Sequence, residues 1–522
     1  MDIIPFEALA MTIEPALLAA IAAEPDDFLR LGYDGFPRYD DFSRLVYADW
    51  LDENGQPDRA EFIRIGCELY KMHLNRETAS EQREQLLSAR EEELWKRNRE
   101  RWFPGLARFA REIAVGRGFP WYAEMSVRQF IEHGDDLFRI APTIVNLSLD
   151  RLGRNAPALA QCRALSRVQS LTFFGPFRAA QAVAFFASPY LGNLRELDIG
   201  HCDGEMGVRG AQALATAESL TQLEILNVGD HAMLDAGTAR MLRNSRLATL
   251  RVVNLEDNGL TDETAESLAH AEFLSGLRDL DLSSNRLSSS AAEILCRTQH
   301  LSGLQNFSLS KNLIGSSGAL QIANANFAST LGALCLDDCD LDNEAMTYLF
   351  AAGRFSQLSQ WNLSGNRPTA QAFRALARNT ALPALRILGL DSCALTPALA
   401  GCLGDIGTLS GLRCLNLTEN PLMTAGVRNL LAGPLLRSVQ DLDLSSCQIG
   451  DGGARVLAKS RALAELRSLS LRDNGITDSG AKALMQSDTL AGLRELELDD
   501  NALTKSGKAS VRARFGEGSF LD

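Results

Sequence analysis

Aromatic residues and histidine are scarce in this chain. Phe, Tyr and Trp together make up 7% of its 522 residues, and there are 6 histidines. The 10 cysteines include no pair with the C-x-x-C spacing that favours a zinc site. No segment combines a nucleophile, a base and an orienting group in a recognisable motif. These absences predict a protein with no catalytic residues, no cofactor and no metal.

The chain also lacks an excess of positive charge and a long apolar run. Its formal net charge is -14, whereas a general nucleic-acid-binding protein needs a basic surface. The apolar stretch at 15–23 is too short to span a membrane, and Asp2 and Glu14 precede it in place of basic residues. We therefore expect no nucleic-acid partner, no membrane association and a cytoplasmic location. Residues 1–11 are expected to be a flexible N-terminus, with Met11 as an alternative start.

Leucine, by contrast, is abundant and recurs at a fixed spacing. The pattern L-x-x-L-x-L-x-x-N-x-L occurs twelve times between Leu194 and Leu503, and after the second copy every step is 27 residues. The first apolar residues of the copies are Leu194, Leu223, Leu250, Leu277, Leu304, Leu331, Leu358, Leu385, Leu412, Val439, Leu466 and Leu493. A period of this length predicts a solenoid, in which each unit covers the apolar face of its neighbours.

Each copy of the pattern predicts a short strand followed by a helix. The L-x-L core has period two, which places both leucines on one face of a strand. The Asn side chain can both donate to and accept from backbone groups where the strand turns into a loop. A helix-start signal such as Thr261–Glu263 follows, with apolar residues three apart. We interpret Cys202, Cys339, Cys393 and Cys447, which occupy the Asn position, as small buried substitutes.

These units resemble the ribonuclease-inhibitor-like class of leucine-rich repeats. The resemblance implies an α/β solenoid, a right-handed horseshoe with parallel strands on its concave face and helices on its convex face. The match covers about three fifths of the chain and is specific for the fold. It does not specify a function, because the class includes inhibitors, GTPase-activating proteins and immune sensors.

The N-terminal quarter has no repeat, and its patterning predicts helices at 15–23, 40–53, 57–73 and 77–102. The second should carry Phe42, Leu45, Val46 and Trp50 on one face, and residues 116–121 should form a turn before a helix at 127–138. We therefore predict an N-terminal all-α domain.

Two stretches of this region, 44–55 and 59–69, resemble the bacterial repeat-companion domain. The match covers about residues 14–70, with 28–41 as an insertion, and implies an architecture without established chemistry. Its polar and aromatic residues could be imagined as a site, but we interpret them as packing and ion pairs. These residues are Asp49, Trp50, Arg59, Glu61 and Arg64.

The patterns together predict five regions along the chain. They are a flexible N-terminus at 1–11, a helical domain with a linking segment at 12–140, degenerate capping repeats at 141–193, twelve repeats at 194–505 and a polar C-terminal cap at 506–522.

The exposed strand positions predict a polar concave face with a basic edge and an acidic edge. Arginine often follows the first leucine, and acidic residues lie at and beyond the strand end. The predicted partner-binding residues are Arg195, Arg251, Arg278, Arg386, Arg413, Glu256, Asp257, Asp281, Asp337, Asp338, Asp391, Glu419, Asp473, Asp499 and Asp500. Alternatively, the two sets only pair with each other across strands. Because aromatic anchors are nearly absent there, we expect a polar partner with basic patches.

One group near the start of the array has potential metal ligands. His201, Cys202, Asp203, Asp230 and His231 come from adjoining units. Zinc requires ligands that converge, but the pattern points Cys202 and His231 inward and His201 and Asp230 outward. We therefore interpret the group as a His201–Asp230 pair across strands.

The sequence favours a non-catalytic scaffold that binds a protein partner on the concave face. The alternative is a GTPase-activating or other regulatory protein of the same repeat class, which would present an arginine from a loop near the N-terminal end of the array. Arg151, Arg154 and Arg209 are the candidates. A third class, a ubiquitin-ligase-like effector, would need a catalytic cysteine domain beyond the repeats, and we expect none.

Overall fold

The structure is a computed structural model that describes residues 14, 16–21, 41–74, 81–200 and 202–516. The predicted N-terminus at 1–11 and most of the insertion at 28–41 lie outside the described residues. The chain divides into two compact units, residues 1–250 and 251–522. In each unit parallel strands alternate with helices in chain order, which confirms the predicted α/β solenoid.

The first unit contains six strands and eight helices with named bounds. Its strands are β1 Glu112–Gly116, β2 Phe119–Ser126, β3 Asn146–Asp150, β4 Ser170–Phe174, β5 Glu196–Asp198 and β6 Ile225–Asn227. Its helices are α1 Phe42–Glu53, α2 Pro57–Leu74, α3 Glu81–Trp102, α4 Val127–Ile140, α5 Ala156–Ala160, α6 Ala179–Phe186, α7 Gly207–Ala215 and α8 Leu234–Met241. Residues 16–21 are also helical. The predicted N-terminal helical region is therefore present.

The buried face of α1 differs from the predicted one. Phe42 is 67% exposed and Val46 is 36% exposed, whereas Tyr47 and Leu51 are buried. Tyr47 packs against Phe119 of β2, with ring centroids 5.8 Å apart. The helix turns this face inward because β2 supplies an apolar partner that is distant in sequence.

The strands β1 and β2 form an antiparallel hairpin that the sequence analysis did not predict. Its turn, which lies at the predicted position, sits directly on α2. A Cβ atom on Gly118, whose φ is +84°, would lie 2.5 Å from the Cα of Ile63, and a Cβ on Gly66 would lie 2.6 Å from the Gly118 nitrogen. The buried side chains of Arg117 and Asp41 face each other at 3.5 Å. We call this contact between hairpin and helix the glycine seam.

The second unit contains ten strands and ten helices with named bounds. Its strands are β7 Val252–Asn254, β8 Asp279–Asp281, β9 Asn306–Ser308, β10 Ala333–Cys335, β11 Gln360–Asn362, β12 Ile387–Gly389, β13 Cys414–Asn416, β14 Asp441–Asp443, β15 Ser468–Ser470 and β16 Glu495–Glu497. Its helices are α9 Asp262–Ala269, α10 Ser289–Arg297, α11 Gly315–Ala323, α12 Asn343–Ala351, α13 Ala370–Arg378, α14 Pro397–Gly404, α15 Met423–Leu430, α16 Gly450–Leu457, α17 Asp478–Met485 and α18 Lys505–Phe515.

The leucine columns form the interior between the strands and the helices. Neighbouring strands of the second unit pair in register, so that Leu388 aligns with Leu415 and then with Leu442. Trp361 takes the place of a leucine in this column and is 1% exposed. It packs edge-on against Phe350, with ring centroids 5.5 Å apart. Trp361 is therefore part of the interior.

The Asn column forms a buried ladder of hydrogen bonds, as predicted. The Nδ2 of Asn366 donates to the carbonyls of Leu336 (2.8 Å), Leu363 (2.9 Å) and Ser364 (3.1 Å). Its Oδ1 accepts from the Leu341 amide of the preceding repeat (2.9 Å). One side chain thus satisfies backbone groups in two repeats, which would otherwise be buried without partners.

Cysteines in the same column replace only part of this bonding. The Cys339 thiol donates to the Leu309 carbonyl at 3.1 Å, and the Cys447 thiol donates to the Leu417 carbonyl at 3.1 Å. Burial raises the pKa of both thiols to about 12. Since the thiolate is the reactive and metal-binding form, these cysteines suit a structural position.

Helices of the second unit begin in two ways. Some have a side-chain N-cap, such as Thr477, which accepts from the Ser479 amide. Others begin with a residue at positive φ whose amide donates to the carbonyl of the next repeat's Asn or Cys. Gly315 donates to Cys339, Met423 to Cys447 and Gly450 to Asn474, with N···O distances of 3.0 to 3.2 Å. Because the repeat period is fixed, the next repeat can supply the capping partner.

Candidate functional site

The strand face is the surface formed by the outward side chains of the strands and of the turns that follow them. The arginines predicted at its basic edge are all exposed. They are Arg195 in the first unit and Arg251, Arg278, Arg386 and Arg413 in the second. Three of the guanidinium groups donate to backbone carbonyls: Arg413 to Ser438 at 2.9 Å, Arg386 to Pro383 at 3.1 Å and Arg251 to Gly276 at 3.4 Å.

These arginines do not pair with the acidic edge. Among the described residues, Arg195 pairs with Glu224 at 3.2 Å, at the same edge of the face, and none of the other four predicted arginines has an ion pair. The described residues therefore show pairing across strands for Arg195 but not for Arg251, Arg278, Arg386 and Arg413. Charge of both signs remains available on the face.

The acidic residues fall into two groups, which the sequence did not separate. The outer group consists of exposed side chains on the turns that follow the strands: Asp257, Asp338, Glu419, Asp473 and Asp500. Each has a positive φ of 47° to 58°. Since Asp tolerates the left-handed conformation better than most residues, backbone geometry accounts for part of this column. Only Asp500 of the group is in an ion pair among the described residues, with Arg472 at 2.6 Å.

The inner group of acidic residues is tied into the fold. Glu256, Asp281, Asp337 and Asp391 are half-buried, and Asp499 is buried. Asp337 accepts from Asn362 Nδ2 at 3.0 Å, and Asp391 accepts from Asn416 Nδ2 at 3.1 Å. Asp337 and Asp391 also accept from the hydroxyls of Ser310 and Ser364. This group contributes negative potential while its oxygens mainly bond neighbouring strands.

Sequence reasoning missed a further acidic cluster on the face. It used the second, fifth, seventh and eighth positions of each repeat, but strand alternation also turns the third position outward. Asp441 and Glu495 occupy that position, beside Asp443 and Glu497. The pKa of Asp441 is raised, first because of burial and then because these three carboxylates lie nearby. The period-two pattern was the signal that could have found them.

The structure describes four of the five potential metal ligands near the start of the array, Cys202, Asp203, Asp230 and His231. Among the described residues, no group of three or more His, Cys, Asp or Glu could hold a metal ion. His231 is buried, with Nε2 2.9 Å from the Ile199 carbonyl and Nδ1 accepting from the Met206 amide at 3.4 Å. Burial lowers the pKa of His231. The predicted partner of Asp230, His201, lies outside the described residues.

The arginines considered for GTPase regulation lie in the first unit, after β3 and in α7. Arg151, Arg154 and Arg209 are exposed, and Arg151 lies 3.6 Å from Asp150. In the described part of the chain, no helix is long and apolar enough to cross a membrane.

Comparison with known proteins identifies the class of the repeat. Residues 193–215, 246–269, 436–458 and 465–485 match the family described as Leucine Rich repeat. These four segments of the chain are therefore leucine-rich repeats.

Solved structures with a similar fold include an internalin (inlF) from Listeria monocytogenes. It has 20% sequence identity, the match covers 69% of this chain and 87% of that chain, and the TM-score is 0.40. Another is the TLR13–ssRNA13 complex, with 16% identity, coverage of 74% of this chain and 58% of that chain, and a TM-score of 0.37. A search of curated proteins finds no match.

Proposed function

We propose that this protein is a non-catalytic scaffold whose strand face, in the second unit, binds a protein partner through basic side chains on that partner. The observation that carries the proposal is the outer acidic group, which is exposed and, apart from Asp500, without ion pairs among the described residues. Its members lie one to three repeats apart. Since strands lie about 4.8 Å apart, they can contact several points of an extended protein surface. The partner is a protein and not a nucleic acid, since a phosphate backbone would be repelled.

We also propose that the repeats belong to the ribonuclease-inhibitor-like class. A full helix after most strands and a 27-residue step support membership of the ribonuclease-inhibitor-like class. We also propose that residues 14–70 belong to the bacterial repeat-companion family and that the protein acts in the cytoplasm. No observation favours GTPase regulation over simple binding.

A charge-reversal experiment tests the binding surface. The triple variant Asp257→Lys, Asp338→Lys and Asp473→Lys reverses exposed carboxylates of the outer group without touching the hydrogen-bonded inner group. Proteins captured from a bacterial lysate by the intact protein should be lost by this variant. We expect at least a tenfold reduction, and capture should weaken as salt rises because the contacts are electrostatic.

The matched control reverses three exposed carboxylates away from the strand face: Glu266→Lys, Glu272→Lys and Asp488→Lys. It makes the same change in net charge and should capture the same proteins as the unmodified chain. Equal loss in both variants would show only a net-charge effect. Unchanged capture by the strand-face variant would overturn the proposal.

A further inference from the structure

A cavity of about 420 Å³ lies in the first unit, remote in sequence from the proposed binding surface. Its walls come from the helix at 16–21, α1, the start of α2, the end of α3, β2 and the end of α4. A volume of this size falls within the range of small-molecule sites.

Arg59 lines this cavity as a buried cation with no anionic partner. It is 5% exposed, and among the described residues its Nη1 has no hydrogen-bond partner and no carboxylate pairs with it. Arg64, on the same helix, bonds Asp49 at 2.7 Å and Asp52 at 2.6 Å. Burial lowers the pKa of Arg59 to about 10, so the group stays charged at neutral pH. A buried charge without a partner is unfavourable unless something else compensates it.

Aromatic rings compensate part of this charge. The guanidinium carbon of Arg59 lies 4.7 Å from the ring centroids of Trp102 and Phe103 and 5.2 Å from that of Phe119. Cation–π contacts stabilise the cation but give the N–H groups of Nη1 no acceptor among the described residues. Trp102 adds a second such donor, since its buried Nε1 also has no partner among the described residues.

The charge around the opening is positive as well. Arg101 and Arg139 line the cavity with exposed side chains, and Arg139 shares its charge with Asp136 at 2.9 Å. Glu14 is the one carboxylate among the described residues of the lining, and it accepts from the Tyr47 hydroxyl at 2.8 Å. The described lining therefore holds three guanidinium groups and one carboxylate that is already hydrogen-bonded.

We propose that this cavity binds a small organic anion, a carboxylate or phosphate group carried on an aromatic or apolar body. The anion accepts hydrogen bonds from Arg59 and from the Trp102 indole. The apolar body packs on the rings of Phe103 and Phe119. Arginine suits both anions because its planar N–H groups match their oxygens. This ligand site is separate from the protein-binding function proposed above.

Calorimetric titration of the full-length protein tests the proposal. The probes are benzoate, phenyl phosphate and benzylamine, which have similar rings and differ in charge. We expect one or both anions to bind with 1:1 stoichiometry and benzylamine not to bind. The tighter anion identifies the preferred group. Absence of binding by both anions, or equal binding of benzylamine, would overturn the proposal.

Two variants locate the binding. Arg59→Gln should weaken anion binding at least tenfold, roughly the value of a charge-assisted hydrogen bond. Arg101→Gln changes an exposed residue at the opening, leaves the core intact and should weaken anion binding about threefold. If Arg59→Gln does not fold, Arg101→Gln tests whether the anion binds in this cavity. Arg99→Gln, an exposed residue of α3 outside the cavity, is the matched control and should bind normally. Equal affinities in Arg101→Gln and Arg99→Gln would place the anion elsewhere.

Discussion

The ionisation of Glu196 in β5 should affect the stability of the first unit. Its Oε2 is buried without a hydrogen-bond partner among the described residues. Burial, and then the nearby Asp198, raise the pKa of Glu196 to about 7. The folded state therefore holds a proton between the ordinary value of 4.5 and about 7, where the unfolded state has lost it. The free energy of unfolding of the first unit should therefore be highest, as far as Glu196 is concerned, below pH 4.5, and should fall as the pH rises toward 7.

Replacing Glu196 with glutamine should remove this dependence. Glu196→Gln should raise the free energy of unfolding of the first unit at pH 8 by about 2 kcal/mol and change it little at pH 4.5. Urea titration at the two pH values measures the difference. Glu112→Gln, an exposed carboxyl of β1, is the control and should have little effect at either pH. A Glu196→Gln variant as pH-sensitive as the original chain would contradict this account.

At the scale of elements, helix starts at positive φ store backbone strain when the residue is not glycine. Met423 begins α15 at φ +55° and is 48% exposed, so its side chain gains little from burial. Gly450 begins α16 at φ +58°, and open space surrounds the position that a Cβ atom would take there. The left-handed conformation costs a residue with a Cβ roughly 1 kcal/mol or more.

Exchanging the residue types at these two helix starts should therefore have opposite effects. Met423→Gly should stabilise the second unit by up to about 1 kcal/mol, and Gly450→Ala should destabilise it by about the same amount. Denaturant midpoints measure both. As a control, Arg428→Gly, an exposed interior position of α15, should destabilise the helix by about 1 kcal/mol. Destabilisation by Met423→Gly would show that its partial burial outweighs the strain.

The element scale also shows what the sequence could and could not predict. The leucine and Asn columns could be predicted, because the same inward positions recur in every repeat. The burial of Tyr47 was not, since Phe119 reaches it from a hairpin with no periodic signal. Which charged side chains of the strand face lack ion pairs could be found only from the coordinates. Arg386 and Arg413 turn toward carbonyls at their own edge, and only geometry shows that they leave the acidic edge unpaired.

At the scale of the whole molecule, the fixed period makes repeats of the second unit interchangeable in register. Gln360, Trp361 and Asn362 pair with β12, and β12 pairs with Cys414, Leu415 and Asn416 at the same offsets. Removing one whole repeat should therefore let β11 pair directly with β13, and Leu415 should cover Trp361 as Leu388 does now.

Deletion of residues 385–411 removes 27 residues, one full period. We expect a folded protein with a cooperative unfolding transition at a slightly lower urea midpoint, since each repeat contributes its own interfaces. Circular dichroism during urea titration measures this. Deletion of 385–398, half a period, should lower the midpoint much further, because it removes β12 and leaves the rest of α14 without a strand to pack on. Similar behaviour of the two deletions would contradict the interchangeable register.

The glycine seam limits where this protein can be divided. At this seam α2 and the hairpin share a surface on which neither Gly66 nor Gly118 has room for a Cβ atom, and Arg117 and Asp41 form a buried ion pair beside it. If the chain is cut so that the hairpin stays with the repeats, Arg117 loses its counter-ion Asp41. If it is cut after the hairpin, β3 becomes an exposed edge strand that can pair with other chains and aggregate. Fragments meant for separate expression should therefore keep residues 41–150 in one polypeptide.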